Sequence, residues 1–115
     1  MPLVRVQTSA PVDDATRPGL MAELSSAVAE ALGKPESYMM VLVQAGTPML
    51  MGGDDAPAAL VEVRSVGTIS PEQAHGLAGK LSAIVARLGV DPRRIYSNFT
   101  GVPGAMWGMG QSTFG

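Results

Sequence analysis

Residues 3–7 (LVRVQ) and residues 60–64 (LVEVR) are near copies of each other, at an offset of 57 positions. Both stretches alternate apolar and polar side chains, which is typical of a β-strand with one buried face. The same offset relates Leu24 to Leu81. Because two copies are too few for a solenoid, the chain is predicted to contain one duplicated supersecondary unit.

The first unit is predicted to be strand, helix, strand. Residues 3–8 form the first strand, and Pro18 suits the first turn of the helix that follows. The apolar face of this helix is predicted to comprise Leu20, Leu24, Val28, Ala31 and Leu32. Gly33 is suited to end the helix. Residues 38–44 are apolar on both faces, which predicts a buried strand.

The second unit repeats this order. Residues 58–65 are predicted to form a strand, and Ser70 with Gln73 has the spacing of a capping box at the start of a second helix. The apolar stripe of that helix is predicted to comprise Leu77, Leu81, Ile84, Val85 and Leu88. Gly89 follows as an end signal, and residues 94–99 are predicted to form the fourth strand.

These units predict a two-layer α+β fold. A strand–helix–strand unit closes as a right-handed parallel crossover, so two units give a four-stranded mixed sheet with both helices on one face. The length of 115 residues fits a single domain over residues 1–115, with pseudo-repeats at about 2–45 and 58–100.

Two features predict self-association. The sheet face without helices is predicted to carry Arg5, Gln7, Glu62 and Arg64 beside Leu3 and Leu60. A partly apolar, uncovered face in a chain with only 16% charged residues is typical of an oligomer. The segment 101–115 combines five glycines with large apolar side chains, and we expect it to act as an arm that docks on a neighbour.

Composition excludes several functional classes. The chain has no cysteine and a single histidine, His75, which argues against disulfides, thiol catalysis, histidine metal sites and a Ser-His-Asp triad. The net charge of −2 argues against nucleic-acid binding, and no apolar run reaches the ~20 residues that would span a membrane. The N-terminus lacks the apolar segment of a signal peptide, which predicts a cytoplasmic protein; release without a signal peptide stays open.

Pro2 is the candidate catalytic residue. Met1 followed by a small residue is the usual context for removal of the initiator methionine, and removal would expose the secondary amine of proline. An α-amino group has a pKa of roughly 7.7–8.0, and burial or a nearby cation lowers it. Such an amine could exchange protons near neutral pH. A start without chemical consequence is the alternative for Pro2 taken alone.

The chain resembles the macrophage migration inhibitory factor family of the tautomerase superfamily along its full length. The resemblance rests on short motifs in a fixed order: Met1-Pro2, Gly33-Lys34-Pro35 with Tyr38, Met51-Gly52-Gly53, Ser65-Val66-Gly67, residues 94–99 (RIYSNF) and Ser112-Thr113-Phe114. It implies a homotrimer with sites at the subunit boundaries. It also implies a cofactor-free and metal-free isomerase that acts on small keto or enol acids, of the phenylpyruvate tautomerase or dopachrome isomerase type.

The resemblance also implies roles for individual residues. Pro2 would be the catalytic base, Lys34 would bind the substrate carboxylate, and Val66 would offer a backbone N–H. Tyr96 and Asn98 would reach in from the adjacent subunit. The apolar wall of the site would consist of Tyr38, Trp107, Met109 and Phe114.

Two departures from the family pattern bear on function. Redox-active members carry a Cys-x-x-Cys pair where this chain has Ala58 and Val61, which excludes a thiol oxidoreductase. The family tryptophan aligns with Met109, and Trp107 lies two residues earlier. The altered arm leaves open the alternative of a cytokine-like signalling or binding protein with weak or vestigial tautomerase activity and an unknown receptor.

Overall fold

A computed structural model describes all residues of the chain, 1–115. The main elements are strand β1 (Pro2–Thr8), helix α1 (Arg17–Leu32), strands β2 (Met40–Gln44) and β3 (Ala59–Val66), helix α2 (Pro71–Ala86) and strand β4 (Ile95–Val102). Short 3₁₀ turns lie at Glu36–Tyr38, Pro92–Arg94 and Gly104–Met106, and a small hairpin of β5 (Gly108–Met109) and β6 (Ser112–Thr113) closes the chain.

The four long strands form one mixed sheet in the order β2-β1-β3-β4. Strand β1 is parallel to β2, β3 is parallel to β4, and β1 is antiparallel to β3. Each parallel pair is therefore one strand–helix–strand unit, and the antiparallel β1–β3 pair joins the two units. The predicted duplicated architecture is confirmed.

The core lies between the sheet and the two helices. From β1 and β3, Val4, Val6, Val61 and Val63 are fully buried. They belong to one apolar cluster with helix residues that include Leu24, Val28, Leu77, Leu81 and Val85. The period of two in the strands and of about 3.6 in the helices brings these side chains to the same layer, which explains why the repeat in the sequence was a good guide to the fold.

The start of α2 and the end of α1 follow the predicted signals. The Ser70 hydroxyl accepts a hydrogen bond from the Gln73 backbone N–H at 3.1 Å, and the Ser70 N–H donates to the Gln73 side chain at 2.9 Å, so the capping box is present. Gly33 ends α1 with a φ of 63°, which glycine adopts without strain.

Three boundaries differ from the sequence prediction by two residues or more. Helix α2 ends at Ala86, so Leu88 lies in the following turn rather than on the helix. Strand β2 begins at Met40 because Glu36–Tyr38 form a 3₁₀ turn. The prediction that this strand is buried is wrong, because β2 lies at the edge of the sheet and its Met40 and Leu42 side chains are exposed. Strand β4 continues to Val102, because residues up to Val102 keep pairing with β3 as far as Val66, and it thereby takes the first two positions of the segment assigned to the arm.

The sheet face opposite the helices is open in the single chain, as predicted. Arg5 and Glu62 pair across the β1–β3 ladder on this face, and Leu42 and Tyr96 lie exposed on its outer strands. Neither helix is long and apolar enough to cross a membrane.

Candidate functional site

Pro2 begins β1 at one end of the sheet and is fully buried. It lies opposite Ser65 of β3. The residue before it also takes part in the sheet, because the carbonyl of Met1 accepts a hydrogen bond from the backbone N–H of Val66 at 3.2 Å. The backbone donor at Val66 therefore points at the peptide bond that joins Met1 to Pro2.

Lys34 lies close to the same point. It directly follows Gly33, the cap of α1, and its N–H donates to the Ala29 carbonyl at 2.9 Å. Burial lowers the pKa of the Met1 amine below its ordinary value, and the positive charge of Lys34 lowers this pKa further. Lys34 is thus within electrostatic reach of the start of the chain, where a second cation destabilises a protonated amine.

Tyr38 is the next predicted site residue at this end of the sheet. The parallel register places Met40 opposite Leu3, so the turn that contains Tyr38 precedes β2 at the edge where β1 begins. The Tyr38 side chain is 48% exposed. In the single chain, one sheet end therefore brings together Pro2, Lys34, Val66 and the turn of Tyr38.

Tyr96 and Asn98 are not brought to Pro2 within one chain. Tyr96 lies opposite Leu60, which lies opposite Gln7. Gln7 is five residues along β1 from Pro2, which corresponds to about 17 Å at the usual rise of a strand. Both side chains point to the exposed face of an edge strand, and Tyr96 is 67% exposed. A single chain consequently holds only part of the predicted site.

The predicted wall residues of the arm form a small unit of their own. The Phe114 N–H donates to the carbonyls of Gly104 at 3.0 Å and of Trp107 at 3.2 Å, which folds the arm back on itself beside the β5–β6 hairpin. Met109 and Phe114 remain 58% and 41% exposed. The arm presents these apolar groups to solvent in the single chain.

The hydrogen bonds made by the Arg94 side chain were not predicted from the sequence. Its guanidinium donates to four backbone carbonyls of one loop, those of Met51, Asp54, Ala56 and Pro57. No motif indicates such a role, because backbone carbonyls leave no trace in the sequence. His75 is exposed on α2, and no group of three or more His, Cys, Asp or Glu side chains is placed to hold a metal ion.

Comparison with known proteins identifies the family. The family model described as macrophage migration inhibitory factor (MIF) matches residues 1–115. The chain belongs to the MIF family. A MIF homolog of Brugia malayi is 32% identical over 116 residues, covering 100% of both chains. D-dopachrome decarboxylase of Gallus gallus is 33% identical over 114 residues, covering 97% of this chain and 94% of the relative.

Solved MIF structures share the fold. The MIF homologue of Prochlorococcus marinus superimposes with a TM-score of 0.91 at 38% identity, covering 98% of this chain and 99% of the other. MIF of Toxoplasma gondii gives 0.91 at 36% identity, covering 97% and 99%. The expected resemblance to the MIF family is confirmed, and so is the predicted tautomerase-type sheet and helix layer.

Proposed function

We propose that this chain is a cofactor-free keto–enol tautomerase whose base is the nitrogen of Pro2 after Met1 has been removed. The observation that carries the proposal is that two donors lie at the start of the chain: the Val66 N–H donates to the carbonyl of the Met1–Pro2 peptide bond, and the charge of Lys34 acts on the Met1 amine. Membership of the MIF family, with a D-dopachrome decarboxylase among the relatives, supports the same reaction class.

The proposed reaction moves one proton. The neutral Pro2 amine takes the proton from the carbon next to a carbonyl, and the electrons of that C–H bond form the carbon–carbon double bond while the carbonyl electrons pass to oxygen. The protonated Pro2 amine then gives this proton to the oxygen, which forms the enol and restores the neutral base. In the reverse direction the amine takes the hydroxyl proton and returns it to carbon, so one group serves as acid and base.

The other groups at this end of the sheet suit the same substrates. Lys34 offers a cation for the carboxylate of a phenylpyruvate-like or dopachrome-like acid, and its charge favours the neutral form of the base. The Val66 N–H is a donor for the oxygen on which negative charge develops. Phenylpyruvate-like acids carry both of the oxygen groups that these two donors require.

Removal of Met1 would have a second consequence, because the Met1 carbonyl accepts a hydrogen bond from Val66. In the full chain the Met1 carbonyl occupies the Val66 N–H at 3.2 Å. Cleavage of the Met1–Pro2 bond would convert an amide nitrogen into a basic amine and would also release this donor. Both changes are needed by the mechanism, and a single hydrolysis supplies both.

We propose that a homotrimer completes the site. Tyr96 and Asn98 lie too far from Pro2 of their own chain and point outward from an edge strand. An adjacent subunit could supply them, and the exposed arm could supply an apolar wall. This wall would comprise Trp107, Met109 and Phe114, with Tyr38 from the chain that holds Pro2.

The test compares the native chain with Pro2→Gly in the conversion of enol-phenylpyruvate to the keto form. Glycine also permits removal of Met1, so both proteins have a free amine, but a primary amine cannot take the geometry of the proline ring. We expect the rate to fall by at least about 10²-fold, the usual contribution of a positioned base.

Intact mass is the control for this comparison, since only molecules without Met1 are expected to be active. Equal rates for Pro2→Gly and the native chain, with Met1 absent from both, would contradict a base that depends on the secondary amine of proline.

A further inference from the structure

We infer that Arg94 is a positioning residue, which holds Tyr96 and Asn98 in place for the site of the neighbouring subunit. The inference rests on the proposed function, because it gives these two side chains their role. Arg94 itself is remote from Pro2 of its own chain, since it directly precedes β4 at the end of the strand farther from Val66.

The hydrogen bonds of Arg94 use all three nitrogens of the guanidinium. Nε donates to the Pro57 carbonyl at 3.1 Å and Nη1 to the Met51 carbonyl at 3.3 Å. Nη2 donates to the carbonyls of Asp54 at 2.9 Å and Ala56 at 3.0 Å. The Arg94 side chain is therefore the centre of a loop that has few regular hydrogen bonds of its own.

The four acceptors converge because of the local backbone. Met51 and Asp54 form a bridge around Gly52 and Gly53, whose φ angles are 61° and 77°, and this conformation favours glycine. The turn directs the carbonyls of Met51 and Asp54 to the same side as those of the segment that enters β3. A planar fork with five N–H donors matches this arrangement, whereas a lysine ammonium is a single point of charge.

The hydrogen bonds of Arg94 matter because β4 is an edge strand. It pairs with β3 on one side only, so its free side offers nothing in the single chain to fix its start. Ile95 pairs with Ala59 at the beginning of both strands, and Arg94 ties the start of β4 to the loop that leads into β3. Tyr96 and Asn98 follow two and four residues later, on the exposed face.

Arg93 is a matched control in the same turn. It carries the same charge, but its side chain is 89% exposed and bonds to Asp91 of its own turn, at 2.9 Å from Nη2. We expect Arg94→Lys to lower kcat/KM for enol-phenylpyruvate by about 10- to 100-fold, because small misplacements of positioning groups have effects of this size. The kcat/KM of Arg93→Lys is expected to stay within about twofold of the native value, because exposed surface substitutions usually have small effects.

Mixed oligomers separate a role in the neighbour's site from a role within the chain. Arg94→Lys chains keep an intact Pro2, and Pro2→Gly chains keep an intact Arg94. When both chains are produced in one cell and assemble at random, about one quarter of the sites combine an intact Pro2 with the intact Arg94 of the adjacent chain. We expect activity to recover towards that fraction of the native value, well above the mean of the two separate variants.

The possible results of these experiments lead to different conclusions. Activity that stays at the mean of the two variants, in oligomers shown by mass to be mixed, would overturn the inference. A native chain without Pro2-dependent activity would instead contradict the proposed function. Should Arg94→Lys fail to assemble, Arg94→Gln keeps two N–H donors and replaces it in the mixture. Faster amide hydrogen exchange over residues 95–98 is expected in either variant, and unchanged exchange would also count against the inference.

Discussion

At the residue scale, the proposed chemistry depends on whether one peptide bond is intact. While Met1 is present, the nitrogen of Pro2 is an amide and has no basicity, and the Val66 N–H is occupied by the Met1 carbonyl. Lys34 already lies near enough for its charge to lower the pKa of the Met1 amine, together with burial. The surroundings that favour a neutral amine are thus present before the proposed base exists.

Lys34→Ala should therefore shift the pH–rate profile. The lysine charge disfavours a protonated amine nearby, so its removal should raise the pKa of the Pro2 amine. The neutral fraction near pH 7 then falls, and kcat/KM should decrease at neutral pH and recover partly at higher pH. KM for a carboxylate substrate should also rise. The measurement is kcat/KM against pH.

Lys80→Ala is the matched control for Lys34→Ala, because Lys80 is a half-exposed surface residue whose only ion-pair partner is Glu30 at 3.8 Å. Its profile should match that of the native chain. An unchanged profile for Lys34→Ala would show that its charge does not act on the base.

At the scale of elements, features that depend on local hydrogen bonds could be predicted from the sequence, whereas features that depend on tertiary contacts could not. The start of α2 was predicted from the sequence because a capping box acts through hydrogen bonds between residues three positions apart, as at Ser70 and Gln73. The length of β4 was not readable, because it depends on pairing with β3 as far as Val66. The sequence showed that residues 101–115 were rich in glycine, but it did not show that Gly101 belongs to the sheet.

Ser70→Ala tests the contribution of the capping box. The Gln73 N–H loses its side-chain acceptor at the start of α2, and the free energy of unfolding should fall by about 1 kcal/mol. Urea unfolding followed by circular dichroism measures this difference. Ser26→Ala, at an exposed position inside α1, should leave the stability nearly unchanged or raise it slightly. Equal stability of the Ser70 variant and the native chain would show that the cap is not a net stabilising contact.

At the scale of the whole molecule, the open sheet face links fold and function. The outer strands expose Leu42 and Tyr96, and a shallow groove of about 330 Å³ on this face is lined by residues that include Leu3, Met40 and Leu42. Apolar surface of this kind is stabilised when another subunit covers it. In the proposed trimer, the same association would cover this face and complete the site with Tyr96 and Asn98.

Leu42→Lys should weaken the proposed trimer. Leu42 is 37% exposed on the open face, and a lysine there would place a charge in a buried contact. Sedimentation equilibrium should show the native protein at three times the 11.8 kDa of one chain and the variant shifted towards a single chain. Tautomerase activity should fall with the trimer fraction. Ala83→Lys, exposed on α2, is the control, and a fully trimeric Leu42 variant would contradict this placement of the interface.

The sequence by itself determined the duplicated units, the capping box of α2, the buried faces of β1 and β3 and the family, because periodicity, capping and motif order can be read along the chain. Only the tertiary structure decided which predicted site residues meet. It brought Pro2, Lys34 and Val66 to one sheet end and left Tyr96 and Asn98 on an edge strand that faces outward. It also revealed the hydrogen bonds of Arg94, whose acceptors are backbone carbonyls about 40 positions away along the chain. Such contacts depend on strand register and loop geometry, which the order of residues does not display.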